Sequence, residues 1–252
     1  MQRLAALLFA FLCLAASPAY AAWSVTTLGG GVVHNSSVHS VTTSSLTVSS
    51  NHIIAIVGYA RTAANADPIV VSDGAGDTFT VNQVGTGTNI RFFAFAVTTG
   101  LSAQTVSVSD TSTGATNFTQ CDYSIVDISG GLTSSAEDAA VRASITTAST
   151  TSPALTSGSP VQSGELFLGL IGFNGALSSN TFTEDAAWTQ INQRNDSVIS
   201  MESGYFVNAG SSANTRTVTN PAAHVYDMMV MGFFANGAIT PVTHLSLTGA
   251  GK

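Results

Sequence analysis

His52-Ile-Ile-Ala-Ile-Val-Gly-Tyr59 is a near-continuous apolar run of strand length, entered from the polar turn Ser50-Asn51. A run of that length and composition reads as a strand buried on both faces. Outward from it the alternation of period two dominates. Residues 41–48 alternate β-branched and hydroxyl side chains, and residues 68–72, the turn Asp73-Gly-Ala-Gly-Asp77 and residues 78–84 read as a hairpin. Further strand candidates cover 91–97, 105–109, 118–128, 166–173, 188–192, 198–208, 215–219 and 226–235. Short strands at this spacing, separated by Gly, Asn, Ser and Asp, predict an all-β, two-sheet antiparallel β-sandwich of jelly-roll-like build. The one helix candidate is 134–143, where Ser134 precedes Glu137 at capping-box spacing. It lacks an apolar stripe and reads as a loop or a single turn.

The domain organisation follows from composition. Residues 1–21 carry Arg3, an apolar segment from Leu4 to Ala16 and the small-x-small triplet Ala19-Tyr20-Ala21, the pattern of a bacterial signal peptide cleaved after Ala21. Residues 22–237 are expected to form one β-sandwich domain, with the Ser/Thr/Pro-rich stretch 146–163 as an edge strand and its loops. Residues 238–252 form a C-terminal tail with a short strand at 243–248. The expected location is secreted, either extracellular or periplasmic. No later apolar stretch is long enough to span a bilayer as a helix.

Charge narrows the partners. Charged residues are 8% of the chain, whereas Ser and Thr number 32 each, about a quarter of 252 residues. Losing Arg3 with the signal leaves 6 cations against 14 acids, a net charge of −8 (6 − 14). Such a surface repels a phosphate backbone, so nucleic acid is not an expected partner. Cys121 is the single cysteine after cleavage, which excludes an intramolecular disulfide, and its spacing from Tyr123 and Ile125 points it into the core. The single lysine is Lys252. Strands undefended by lysine leave an edge open to pairing, so association of copies through a sheet edge or the C-terminal tail is an expectation.

The order of segments resembles a widespread family of β-sandwich modules in bacterial secreted and surface proteins and in phage tail proteins. The likeness rests on Val71-Ser-Asp-Gly-Ala-Gly-Asp-Thr-Phe79, Phe92-Phe93-Ala94-Phe95-Ala96-Val97, Ser124-Ile-Val-Asp-Ile-Ser-Gly130, Gly164-Glu-Leu-Phe-Leu-Gly169, Trp188-Thr189 and a closing strand over 229–234. The family pattern has Asn where Asp77 stands, Tyr where Phe79 stands and Glu-Tyr where Asp127-Ile128 stands. It carries no catalytic residues, and the resemblance implies attachment or assembly as the task.

Candidate sites are few. Asp73 and Asp77 flank a Gly-rich turn that could offer oxygens to calcium, although calcium takes six to eight. Trp188, Trp23, Tyr59 and Tyr205 are the residues with the amphipathic rings on which a glycan stacks, with core or edge packing as the competing role. His34 and His39 lie five apart, which puts them on opposite faces of a regular strand and argues against zinc. The acid pairs Glu137-Asp138 and Glu184-Asp185 read as solvated loop acids. No Gly-x-Ser-x-Gly or His-Glu-x-x-His motif occurs. The expectation is therefore a secreted, non-catalytic adhesion, surface-binding or assembly module with no cofactor, whose partner is a glycan or cell-surface component. A polysaccharide-active enzyme on a jelly-roll scaffold, or a phage-tail-like filament subunit, is the alternative.

Overall fold

A computed structural model describes residues 22–62, 68–86, 89–110, 118–175, 181–195 and 198–236. The expected signal peptide and C-terminal tail lie outside the described residues. Among the described residues the regular structure is all β, in antiparallel sheets. No described helix is long and apolar enough to cross a membrane.

The first part of the chain gives β1 (Ser24–Val38), β2 (Ser40–Thr42), β3 (Leu46–Val48), β4 (Ile53–Thr62), β5 (Ile69–Asp73), β6 (Thr80–Thr86), β7 (Asn89–Val97), β8 (Leu101–Gln104), β9 (Val106–Asp110) and β10 (Phe118–Ser129). They pair first with last and inward from there: β1 with β10, β2 with β9, β3 with β8, β4 with β7. Rolling this ribbon brings β10 beside β4 and β9 beside β5. The result is a five-stranded sheet β1-β10-β4-β7-β6 covered by the smaller sheets β2-β9-β5 and β3-β8.

The second part repeats the scheme. Its strands are β11 (Glu137–Thr146), β12 (Ala154–Thr156), β13 (Glu165–Asn174), β14 (Thr183–Glu184), β15 (Thr189–Asn195), β16 (Ile199–Asn208), β17 (Thr215–Thr219) and β18 (Asp227–Phe233). Their sheets run β11-β18-β13-β16-β15 and β12-β17-β14, the order of the first half without the β3-β8 pair. Local detail repeats as well. Gln83 Oε1 accepts from the Ile69 N–H at 2.6 Å, and Gln193, at the same place in β15, accepts from the Phe182 N–H at 3.1 Å. Asn51 and Gly164 enter β4 and β13 with φ of 63° and 82°, each donating its N–H to the end of the neighbouring strand, at Thr98 and Asn208. The chain is an internal structural duplication.

Three apolar clusters hold the layers together. Ile54, Ile56 and Phe92 pack against Val41, Val71 and Val108 of the small sheets in the first half. Phe167, Ile171 and Met228 do the same with Leu155 and Val218 in the second. Between the two large sheets Ile53, Val57, Phe93 and Val126 meet Leu168, Leu170, Met229 and Met231. The large sheets are thus covered on both sides, which is why β4 and β13 are apolar at consecutive positions rather than alternate ones. Edges meet crosswise: Thr27 of β1 reaches Ile191 of β15, and Asn82 of β6 reaches Glu137 of β11. Since β1 corresponds to β11 and β6 to β15, the halves face each other as the subunits of a two-fold dimer do.

Four expectations need correction. Residues 68–72 and 78–84, read as a hairpin, do not pair: β5 lies beside β9 and β6 beside β7, so the glycine-rich turn carries the chain from one sheet to another. The all-β antiparallel class is found, but the strands divide among five sheets rather than two. Residues 134–143, read as a loop or a single turn, belong from Glu137 onward to strand β11. It is an edge strand with much of its length exposed, so its sequence carries little apolar alternation. The acids read as solvated are in part buried: Asp138 caps the Ala140 and Val161 N–H groups, and the Glu184 carboxylate is paired to Arg216.

Cys121 lies wholly buried on β10, and burial, with Asp122 and Asp110 nearby, pushes its thiol well above the ordinary value. Native protein is expected to resist thiol reagents and to label only on unfolding; rapid labelling without denaturant would contradict this packing.

Candidate functional site

An open groove of about 590 Å³ runs along one end of the seam between the halves, lined by Gly76, Asp77, Thr78 and Thr80, by Phe95, Ala96, Val97 and Thr99, and by Thr133–Glu137. Its first wall is the glycine-rich turn. Asp73 Oδ1 accepts from the N–H groups of Ala75 (3.1 Å) and Asp77 (3.0 Å), and Gly76 supplies the left-handed φ of +78° that the turn requires. Asp77 Oδ1 accepts in turn from Thr99 N–H (3.0 Å) and Oγ1–H (2.9 Å), which ties the turn to the end of β7. The opposite wall is the bend before β11, where Ser135 has φ +48° and Leu132 and Phe234 form backbone bonds across the closing strand. Glu137 closes this side, its Oε1 receiving Asn82 (3.1 Å) and Arg142 (3.1 and 2.7 Å). Phe95 forms the floor, set edge-on to Phe233 with centroids 5.3 Å apart.

Thr78, Thr80, Thr99, Thr133, Ser134 and Ser135 are exposed around this floor. Each hydroxyl both donates and accepts, and the two carboxylates are already oriented by neighbours. Burial pushes Asp73 up, opposed by the Asp77 N–H. Burial also pushes Asp77 up, but hydrogen bonds from Thr98 and Thr99 outweigh it and hold Asp77 below its ordinary value. Such a surface can bind hydroxyl-rich matter through many weak bonds.

Of the ring-bearing candidates, none lines this groove. Trp188 is buried, donates Nε1–H to Asn214 Oδ1 at 3.2 Å and lies 5.0 Å from the Arg216 guanidinium. Tyr59 is buried and donates to Asp227 Oδ2 at 2.8 Å. Tyr205 is half-buried against the shared core, and half-buried Trp23 donates to Gly164 O at 2.7 Å, binding the start of one half to the other. Asp77 is in the groove and Asp73 supports it, with the Oδ2 atom of each lacking a hydrogen-bond partner. Among the described residues no three His, Cys, Asp or Glu side chains gather as a metal would require.

Two polar clusters escaped the reading of the sequence. In the second half, fully buried Arg216 is bound by both Glu184 and Glu202. At the other end of the seam, Asp227 is bound by Arg91, by Tyr59 and by Thr146. Burial, with Asp227 alongside, raises the Tyr59 phenol and keeps it a donor. This second cluster edges a pocket of about 370 Å³ lined by Tyr59, Asn89, Thr146, Phe173, Asn174, His224, Val225 and Asp227. For Arg91 the available signal was an arginine inside an apolar strand, Ile90-Arg91-Phe92, because a buried cation demands a buried partner; Arg216, between Thr215 and Thr217, carried no such signal.

No protein-family model, curated protein or solved structure matches the chain.

Proposed function

We propose that the protein is a secreted, non-catalytic binding module, built as two fused jelly-roll-like sandwiches, that attaches to a hydroxyl-rich polymer such as a surface polysaccharide along the groove at the seam. The observation that carries this reading is the groove itself: six exposed hydroxyls over an aromatic floor, with both carboxylates held by neighbouring donors. One oxygen of each carboxylate is fixed by neighbouring donors, which orients the other toward the hydroxyls of a ligand. The rolled-ribbon pairing of each half supports the jelly-roll part, and the leader-like residues 1–21 support export. Self-association through a free sheet edge belongs to the same reading.

A polysaccharide and glycan array probed with the mature chain tests it, with a size measurement on the same sample. Retention of a neutral or acetylated glycan, lost at least tenfold in Thr99→Ala/Ser135→Ala and abolished in Thr80→Trp, is the expected result. Undiminished binding by the groove variants, or no retained glycan at all, would sink the proposal. Release of sugar from a bound polymer would replace it with the enzymatic alternative.

A further inference from the structure

We infer that the pocket at the Asp227 end of the seam is a second, separate site, and that it takes a single neutral sugar ring or a polyol of that size. It lies far from the groove: Asn89 and Val97 mark the two ends of β7, eight residues or about 26 Å apart. Its volume of about 370 Å³ would hold roughly a dozen waters, and suits one small ring rather than a polymer.

Chemistry selects the ligand class. Asp227 Oδ1 accepts from Arg91 and Thr146, and Oδ2 accepts from Tyr59, so a lone pair remains on Oδ2. The Asn89 Oδ1 atom is buried with no hydrogen-bond partner. Both openings are acceptors, so a ligand group that reaches them donates, while the Asn174 amide and the His224 ring on the same lining can donate or accept. A buried acceptor left unpaired is costly, which makes this one a place where a ligand hydroxyl gains more than it would on the surface. The Asp227 charge is already balanced by Arg91, so a cationic donor finds no net charge to offset its own desolvation. Hydroxyls therefore suit the pocket and ammonium groups do not. The half-buried His224 ring stacks on buried Phe173 at 4.1 Å with the planes 18° apart, which fixes the imidazole beside Val225, itself 53% exposed. A fixed flat ring and fixed acceptors on one lining match a ligand ring with a C–H face and a hydroxyl edge.

The phenol of this pocket is not repeated across the pseudo-two-fold. Gly172 occupies the position that corresponds to Tyr59, and a Cβ there would lie 2.7 Å from the Tyr59 ring. Asp122 corresponds to Asp227, as the partner of Tyr59 on β10, and is wholly buried. The phenol that builds the pocket on one side thus fills the gap on the other.

Saturation-transfer NMR on the full mature chain tests the site, with D-glucose, D-galactose, D-mannose, L-rhamnose and N-acetyl-D-glucosamine as probes and glucosamine as the charged control. At least one neutral sugar should give signals that glucosamine does not. Because replacing Asp227 endangers folding, the blocking variant is Val225→Trp at the exposed rim, backed by His224→Ala. Val225→Trp should abolish the signals and His224→Ala weaken binding at least tenfold, with both melting as the parent does. No signal from any neutral sugar, or signals unchanged in Val225→Trp, overturns the inference. The groove variant Thr80→Trp separates the two readings. Monosaccharide signals that survive it belong to the pocket, whereas signals it removes belong to the groove and refute the second site. Loss of polymer binding in Thr80→Trp together with silent monosaccharides leaves the groove reading standing and ends this one.

Discussion

Replacing Arg216 with Met should lower stability by about 3–5 kcal/mol, which corresponds to a fall in Tm of roughly 6–20 °C. Arg216 is fully buried on β17, between the Glu184 and Glu202 carboxylates and over the Trp188 ring. Removing it leaves two buried acids without a cation, and the methionine recovers only the packing of the stem. Glu202→Gln should change stability much less, staying within about 1 kcal/mol of the parent at neutral pH, since the amide keeps the shape and hydrogen bonds of the protonated acid. Burial lifts Glu202 well above the ordinary carboxyl range, with Arg216 pulling it down and Glu184 pushing it further up. A raised folded value means that the native state holds the proton more tightly than the unfolded chain. The stability this contributes is full below about 4.5 and is lost as pH rises toward the folded value. Glu165, pushed up to about 8 by burial with Asp138 beside it, adds a loss of the same sign between about 4.5 and 8. Glu202→Gln should therefore reduce the decline of stability with pH, and adding Glu165→Gln should flatten it further. Guanidinium unfolding across pH 5 to 9 measures this; an Arg216→Met variant within 1 kcal/mol of the parent would show that the cluster is not closed to water.

Strand positions were legible because a strand with one polar and one apolar face declares itself at period two. The doubly buried β4 declares itself as a continuous run. The duplication was not legible, because corresponding positions exchange size. Ile54 corresponds to Phe167, Gly58 to Ile171 and Tyr59 to Gly172, each pair fixed by the register of its strand against its neighbours. What the halves share is pairing, backbone turns at Asn51 and Gly164, and the Gln83 and Gln193 bonds. None of these stands out where Gln and Gly are scattered. β1 was missed for another reason. Its Gly29-Gly30-Gly31 breaks any alternation, and the structure explains Gly31, over which the Tyr123 ring lies too close for any side chain.

The sites followed a similar division. Trp and Tyr were singled out for their rings, yet the same rings are the best fillers of a layered core, and Trp188 and Tyr59 are spent there. The hydroxyls of the groove could not be told from the other Ser and Thr in a chain where these make up about a quarter. Only the fold gathers Thr80, Thr99 and Ser135 around Phe95. Asp77 was legible as a turn acid, and its tether to Thr99, 22 residues away, was not.

Asp227→Ala should cost about 3–5 kcal/mol and should do so without splitting the unfolding transition. Arg91 is 4% exposed and lies on β7, whereas Asp227 begins β18, so their pair ties one half of the duplication to the other. Removing the carboxylate leaves a buried guanidinium and the Tyr59 and Thr146 hydroxyls without their acceptor. The loss is a penalty for orphaned partners rather than the worth of the pair, and this makes a rescue possible. Arg91→Met combined with Asp227→Leu exchanges the ion pair for apolar contact beside the shared core of Val57, Met201 and Met229. A buried pair replaced in this way is often neutral, so the double variant should recover the part of the loss that comes from the unpaired guanidinium, while the Tyr59 and Thr146 hydroxyls still lack their acceptor. A single transition in both variants is expected, because the apolar cluster between the large sheets belongs to both halves and neither keeps its covered face when the other unfolds. Two resolved transitions would mean that the halves stand as independent domains. A double variant no more stable than Asp227→Ala would mean that the pair orders this end of the seam by geometry that apolar packing cannot replace.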